Sequence, residues 1–381
     1  IDDLTLSQYY EELDKTSPAI VLLSPSGTNG AYFADYGWIG EGITLPTENT
    51  LWSASSKTLS PGKPVTLKWD NGQGLIFKRT YAIDENYMFR VSQGVENKGS
   101  SAVTLHPYAL ISRHGMPEVT GFYILHEGLL GVFDETLQEV DYTDMQDTNT
   151  VANDTTGGWL GITDKYWLVA LVPDQKTPVN SRFTYRNDNG LEKFQADFMG
   201  PPVTIAAGSS DEVNSHLFTG AKEVKVLDSY ETNLGIARFD LAIDFGWFYF
   251  LTKPIFYTLI FINEHVGNFG VAILLLTVLI KIIFFPLANK SYTSMSKMKK
   301  LQPEMVKLRE RFGDDKAQLN QEMMALYKRE KANPASGCLP MLVQIPVFFA
   351  LYKVLFVTIE MRHAPFFGWV QDLSAPDPTN I

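Results

Sequence analysis

The sequence predicts a multidomain protein: an all-β sandwich followed by an α-helical membrane domain that carries a helical hairpin. Three observations predict it. Short alternating runs of β-branched and aromatic residues, separated by turn signals, fill the chain to about residue 240. Two long apolar runs, 269–287 and 339–359, come later. Between them lies a basic stretch whose apolar residues recur at helical spacing.

A length of 381 residues allows two domains. The net charge is −11, but between 288 and 338 there are 11 Lys/Arg against 6 Asp/Glu, a net of +5 that leaves −16 for the rest. The mean hydropathy of −0.07 is ordinary for a soluble protein and hides this division. The chain begins Ile-Asp-Asp, without Met or a leader, and is expected to be a piece of a longer protein. Cys338 is the only cysteine, so no intrachain disulfide is expected; its type suits a small apolar residue at a helix end.

Residues 1–240 form the predicted β domain. Its clearest strands are Leu75–Ile83, Tyr87–Val95, Val103–Ile111 and Tyr166–Val172. Turn signals stand at Pro61-Gly62, Asp70-Asn71-Gly72, Asn97-Lys98-Gly99 and Asn187–Gly190. Many short strands at this spacing suggest one large sandwich core. His106, His114 and His126 show no metal-ligand spacing. Trp38, Trp52, Trp69 and Asp70 are of types that bind sugars, although core and turn roles are commoner for them.

Residues 241–267 read as an interfacial amphipathic helix. Ile255–Ile262 is too short to span a bilayer, Lys253-Pro254 and Glu264-His265 break the apolar pattern, and Trp247, Tyr249 and Tyr257 suit headgroup level. Residues 268–288 are the first predicted span. Phe269–Leu287 (FGVAILLLTVLIKIIFFPL) has 19 residues, one hydroxyl, Thr277, and one charge, Lys281. A helical span needs about 20 apolar residues. An ionised side chain near its centre costs at least ~2.5 kcal/mol, so Lys281 is a functional candidate, with an anchoring role at the headgroups as its competitor. Thr277, four residues earlier, shares its helix face.

Residues 289–337 read as a basic helical hairpin. Met295, Met298, Leu301, Met305, Leu308 and Phe312 form one apolar stripe; Leu319, Met323 and Leu326 form another. Gly313-Asp314-Asp315 breaks the helix and offers an aspartate cap. The outer face carries Lys297, Lys299, Lys300, Lys307, Arg309, Arg311, Lys328, Arg329 and Lys331. Residues 338–360 hold the second span, Leu339–Ile359, with Pro340, Pro346, Gln344 and Lys353 as its unusual members; Lys353 is near enough to one end to snorkel. Glu360-Met361-Arg362-His363 then returns the chain to water, and 361–381 follow as a segment with Phe366, Phe367 and Trp369 as an interfacial aromatic group. The basic hairpin marks the cytoplasmic side, which sets 1–267 and 361–381 on the far, periplasmic side.

The stretches GNFGVAILLLTVLIKIIFFPL, YTSMSKMKKLQPEM, RFGDDKAQLNQEMMALYKREKANPASGCLPMLVQIPVFFALY and APFFGWVQDLSAPDP resemble the YidC family of bacterial inner-membrane protein insertases, relatives of the mitochondrial and chloroplast insertases. The resemblance covers 240–381 in order and spacing; 1–240 resembles the supersandwich-like periplasmic domain of Gram-negative members. It implies one transmembrane helix before Ile1 and three after Ile381. It also implies a hydrophilic groove, open to cytoplasm and lipid, that holds one cation, normally arginine. Lys281 matches that position, which keeps the charge but loses arginine's two-pronged fork. Gln344, Ile345 and Pro346 match groove-side positions of the next span.

The implied function is that of an insertase and chaperone, not an enzyme, with no cofactor, metal or catalytic residue. Nascent membrane proteins and the Sec translocon are implied partners. On charge alone, Lys297, Lys299, Lys300, Arg309 and Arg311 suit the ribosome, the signal recognition machinery or membrane lipids; no DNA partner is expected. Two competing readings are weaker. A membrane-anchored carbohydrate-active protein needs an acid pair that the sequence does not locate. A channel needs spans richer in polar residues than one threonine, two lysines and one glutamine.

Overall fold

The structure, a computed structural model, describes residues 1–121, 124–313, 315–330 and 339–375. Cys338, Asp314, Lys331 and the end of the last segment, 376–381, lie outside the described residues. The chain forms two compact units. One is Ile1–Asp244 with Val357–Glu360; the other is Phe245–Phe356 with Met361–Ile381.

The first unit is rich in β-structure. Its strands are β1 (Leu4–Tyr10), β2 (Ala19–Leu23), β3 (Tyr32–Ile39), β4 (Ser53–Ala54), β5 (Val65–Asp70), β6 (Leu75–Ile83), β7 (Met88–Asn97), β8 (Val103–His114), β9 (Gly128–Phe133), β10 (Thr136–Asp141), β11 (Thr150–Thr156), β12 (Trp159–Thr163), β13 (Trp167–Val172), β14 (Pro178–Asp188), β15 (Leu191–Met199), β16 (Val203–Ile205) and β17 (Ser210–Ala221). A nine-stranded sheet runs β10-β9-β12-β13-β17-β7-β6-β5-β4; a second sheet runs β11-β14-β15-β8-β16, with β3 also paired to β8. These pairings are antiparallel: β6–β7 and β14–β15 are hairpins whose short turns require it, while β17 reaches β7 from far along the chain.

The inward faces of the two sheets share one core. Tyr36, Ile111, Phe183 and Phe194 from one sheet pack with Val91, Leu160, Val169 and Leu217 from the other. Phe133 meets Phe183 across the sheets, edge to face, at 5.8 Å. A smaller cluster holds Trp38, Leu75, Phe77, Val95, Leu105 and Ile205, with Trp52 and Trp69 packed against it. Asp70 Oδ1 accepts the Gly72 N–H at 2.9 Å and shapes a turn. The residues whose types suggested a sugar site thus hold core and turn positions.

Residues 1–240 are not wholly β. Helices α1 (Tyr142–Thr148) and α2 (Val224–Leu234) interrupt the strands. In α2, Val224, Leu227 and Tyr230 are buried at every third position, a helical period that overrides the β-branched character of its start. Gly235, at φ 67°, ends it in the left-handed conformation.

The second unit contains α3 (Tyr249–Val266), α4 (Phe269–Phe312), α5 (Lys316–Arg329) and α6 (Leu339–Val357). Helix α3 buries Thr252, Ile255, Phe256, Leu259 and Ile260, and exposes Phe250, Tyr257 and Phe261. Lys253-Pro254, read as a break, lies inside it: Pro254 removes one helical hydrogen bond without ending the helix. Asn268 caps α4, its Oδ1 accepting the Val271 N–H at 3.0 Å. Helix α4 then runs 44 residues through Pro286 and Pro303. Helices α4 and α6 are long and apolar enough to cross a membrane.

Candidate functional site

The site is built on α4. A side chain four residues from another returns to the same helix face, so Lys281, Ile282, Phe285, Pro286 and Val278 form a continuous surface. These five line an open depression of about 420 Å³. Lys281 is exposed, and so are its apolar neighbours Val278, Ile282 and Phe285. The walls are therefore suited to hydrocarbon, while the lysine is not.

Pro286 adds a second polar group. It has no N–H, so the carbonyl of Ile282, four residues back, lacks its helical donor. The ammonium and this carbonyl belong to adjacent residues. In hydrocarbon each needs a partner, which makes the depression a place where water or a polar segment is favoured.

Thr277 is half-buried and does not line the depression. Its Oγ1 donates to the Ile273 carbonyl at 2.8 Å, so its proton is used within its own helix. Gln344 and Ile345 are exposed on α6, and Pro346 is half-buried there, freeing the Leu342 carbonyl as Pro286 frees that of Ile282. None of these three lines the depression, which is formed by α4 alone. Lys353 runs its stem past Gly246, where an added Cβ would lie 3.0 Å from Lys353 Cε.

The hairpin has a small core of its own. Leu301 and Leu326 are buried, with Met298, Met305 and Leu308 against them. Arg329 pairs with Glu304 at 2.7 Å across the two helices. Asp315 Oδ1 accepts the N–H groups of Ala317 and Gln318, each at 3.0 Å, and caps α5. Lys297, Lys299, Lys300, Arg309 and Arg311 are all exposed, and the Arg311 guanidinium sits over the Phe312 ring at 5.3 Å. Met295 and Met324 remain exposed outside the core.

Among the described residues, Asp228, Glu231 and Asp240 bring one carboxylate oxygen each within 4.8 Å of the others. Local structure also employs them: Glu231 Oε2 accepts the Asp240 N–H at 3.2 Å. Two contacts escaped sequence reasoning. The Phe366 ring packs onto Gly270, and Glu360 meets the start of α2. Both join positions remote in sequence, so no local pattern announced them.

A family described as YidC periplasmic domain matches residues 1–258, and one described as 60Kd inner membrane protein matches residues 261–381. The membrane protein insertase YidC of Methylobacterium nodulans is 53% identical over 392 residues, covering 100% of this chain and 65% of the relative. That of Beijerinckia indica is 57% identical over 387 residues, covering 100% of this chain and 64% of the relative. The chain thus spans slightly less than two thirds of either relative. A galactose mutarotase-like protein from Lactobacillus casei is similar to the chain at 10% identity and a TM-score of 0.33, over 50% of this chain and 85% of that one.

Proposed function

The chain belongs to the YidC family, and on that premise we propose that it forms part of a membrane protein insertase and chaperone of the bacterial inner membrane. The activity is binding and guidance, not catalysis, and takes no cofactor. The observation that carries it is Lys281: an exposed cation in an apolar depression on a helix fit to span a bilayer.

The physical task is to bring polar or acidic flanks of a nascent protein across hydrocarbon, where an unpaired charge is expensive. Lys281 lies six residues before Leu287, roughly 9 Å along a helix rising 1.5 Å per residue. With the basic hairpin in the cytoplasm, that depth puts the ammonium in the cytoplasmic half of the bilayer. It attracts the acidic tail of a client, and the freed Ile282 carbonyl accepts from water or from a client N–H. The client's apolar segment slides along the exposed Val278, Ile282 and Phe285. Gln344, Ile345 and Pro346 on α6 supply the facing side, and Thr277 offers its oxygen one turn below the cation. Residues 1–267 and 361–381 are then periplasmic.

The exposed hairpin cations support docking on phosphate-rich partners: the ribosome, the signal recognition machinery or anionic lipid headgroups. The Sec translocon is a partner through the family alone. Crosslinking from Lys299 and Arg309 in translating membranes separates these partners.

The test of Lys281 is reconstituted insertion by the full-length protein. Lys281→Ala is expected to slow insertion of clients with acidic tails on the order of tenfold, the equivalent of about 1.4 kcal/mol. Clients with neutral tails change little, and Lys281→Arg restores the acidic ones. Unimpaired insertion of acidic-tailed clients by Lys281→Ala would remove the role given to the cation.

A further inference from the structure

Val357–Glu360, the four residues from the last turn of α6 onward, pack as part of the β-rich unit. Val357, Thr358 and Ile359 are all buried. Glu360 then reaches the N-terminus of α2. That helix lacks a side-chain cap of its own: Glu223, in the cap position, turns its Oε1 to the Tyr9 hydroxyl, which donates at 2.9 Å. The Val224 N–H, one of the donors a helix start leaves unpaired, donates to Glu360 Oε1 at 3.2 Å. The other oxygen, Oε2, is shut off from solvent and meets no hydrogen-bond partner.

Opposing forces act on this carboxylate. The helix N-terminus and Lys225, in the first turn of α2, favour its charge. Burial and the neighbouring Glu223 oppose it. Tyr9 and Tyr87 face Glu223. We propose that Glu360 is a latch: protonated on Oε2, it holds the chain beyond α6 on the start of α2, and ionised beside Glu223, it lets go.

Burial, with Glu223 second among the opposing causes, pushes the Glu360 carboxyl up to about 7. A carboxyl raised on docking contributes fully below its ordinary value, about 4.3, and its contribution is lost as pH rises to the docked value. The test is amide hydrogen exchange at Val224 in the full-length protein in lipid nanodiscs, with Glu360→Gln as an uncharged reference at each pH. The protection of the native protein relative to Glu360→Gln is expected to fall roughly tenfold per pH unit between about pH 5 and 7, then to level off. A ratio that does not change with pH overturns the latch. Glu223→Gln provides a second reading that survives if Glu360→Gln fails to fold. It should move the midpoint of the native pH profile to lower pH, and an unmoved midpoint also overturns the proposal as stated.

Discussion

Gly270 occupies the first turn of α4, buried under the Phe366 ring; a Cβ there would overlap that ring. Asn268 Nδ2 also donates to the Phe366 carbonyl, at 3.4 Å. Glycine is needed here for close approach, not for an unusual φ. Gly270→Ala is expected to cost about 1–3 kcal/mol as an overpacked contact and to lower the melting temperature in detergent. Adding Phe366→Ala should recover part of the loss; a single variant that melts like the native protein sinks the idea. The sequence placed Phe366 in an interfacial aromatic group, and its partner, 96 positions back, was invisible because only the fold joins them. Lys281 stands out in the sequence for the opposite reason: one charge in an otherwise apolar run of 19 residues, broken only by Thr277, is a property of local composition. Glu360 read only as part of a return to water, since its burial depends on α2.

At the scale of elements, period decided what could be read. The predicted strand Leu75–Ile83 coincides with β6, and its alternation places Phe77 inward and Lys78 toward Glu96, at 2.9 Å. Helix α2 escaped, because residues 1–240 read as β throughout and the every-third-residue burial of α2 shows only in the fold. The hairpin was legible down to its cap. Asp315 satisfies two of the N–H groups that α5 leaves without helical partners. Asp315→Ala is expected to destabilise the hairpin by about 1 kcal/mol. Hydrogen exchange at Ala317 and Gln318 measures it: both amides should exchange several-fold faster, and unchanged rates mean the cap is idle. The continuity of α4 through Pro286 and Pro303 was less legible, since proline usually marks a helix boundary. A helix of this length loses only the bonds at Ile282 and Lys299 to them, and the rest of its ladder holds.

At the scale of the molecule, the uneven charge and hydropathy that divide the sequence find their counterpart in two compact units with separate kinds of core. The β-rich unit is stabilised by two sheets closing on buried aromatics, a burial that water drives. The helical unit presents apolar side chains outward along α4 and α6, which water would disfavour and lipid accepts. Two such cores should not melt as one, because a single cooperative transition requires shared packing. Phe183 is fully buried between the sheets and meets Phe133 edge-on. Phe183→Ala should therefore cost the β-rich unit about 3–5 kcal/mol. In scanning calorimetry of the protein in detergent, one transition should move down while the other stays in place. If both shift together, the two units share their stability, and the separation of the sheet core from the helices is not the principle on which this chain is built.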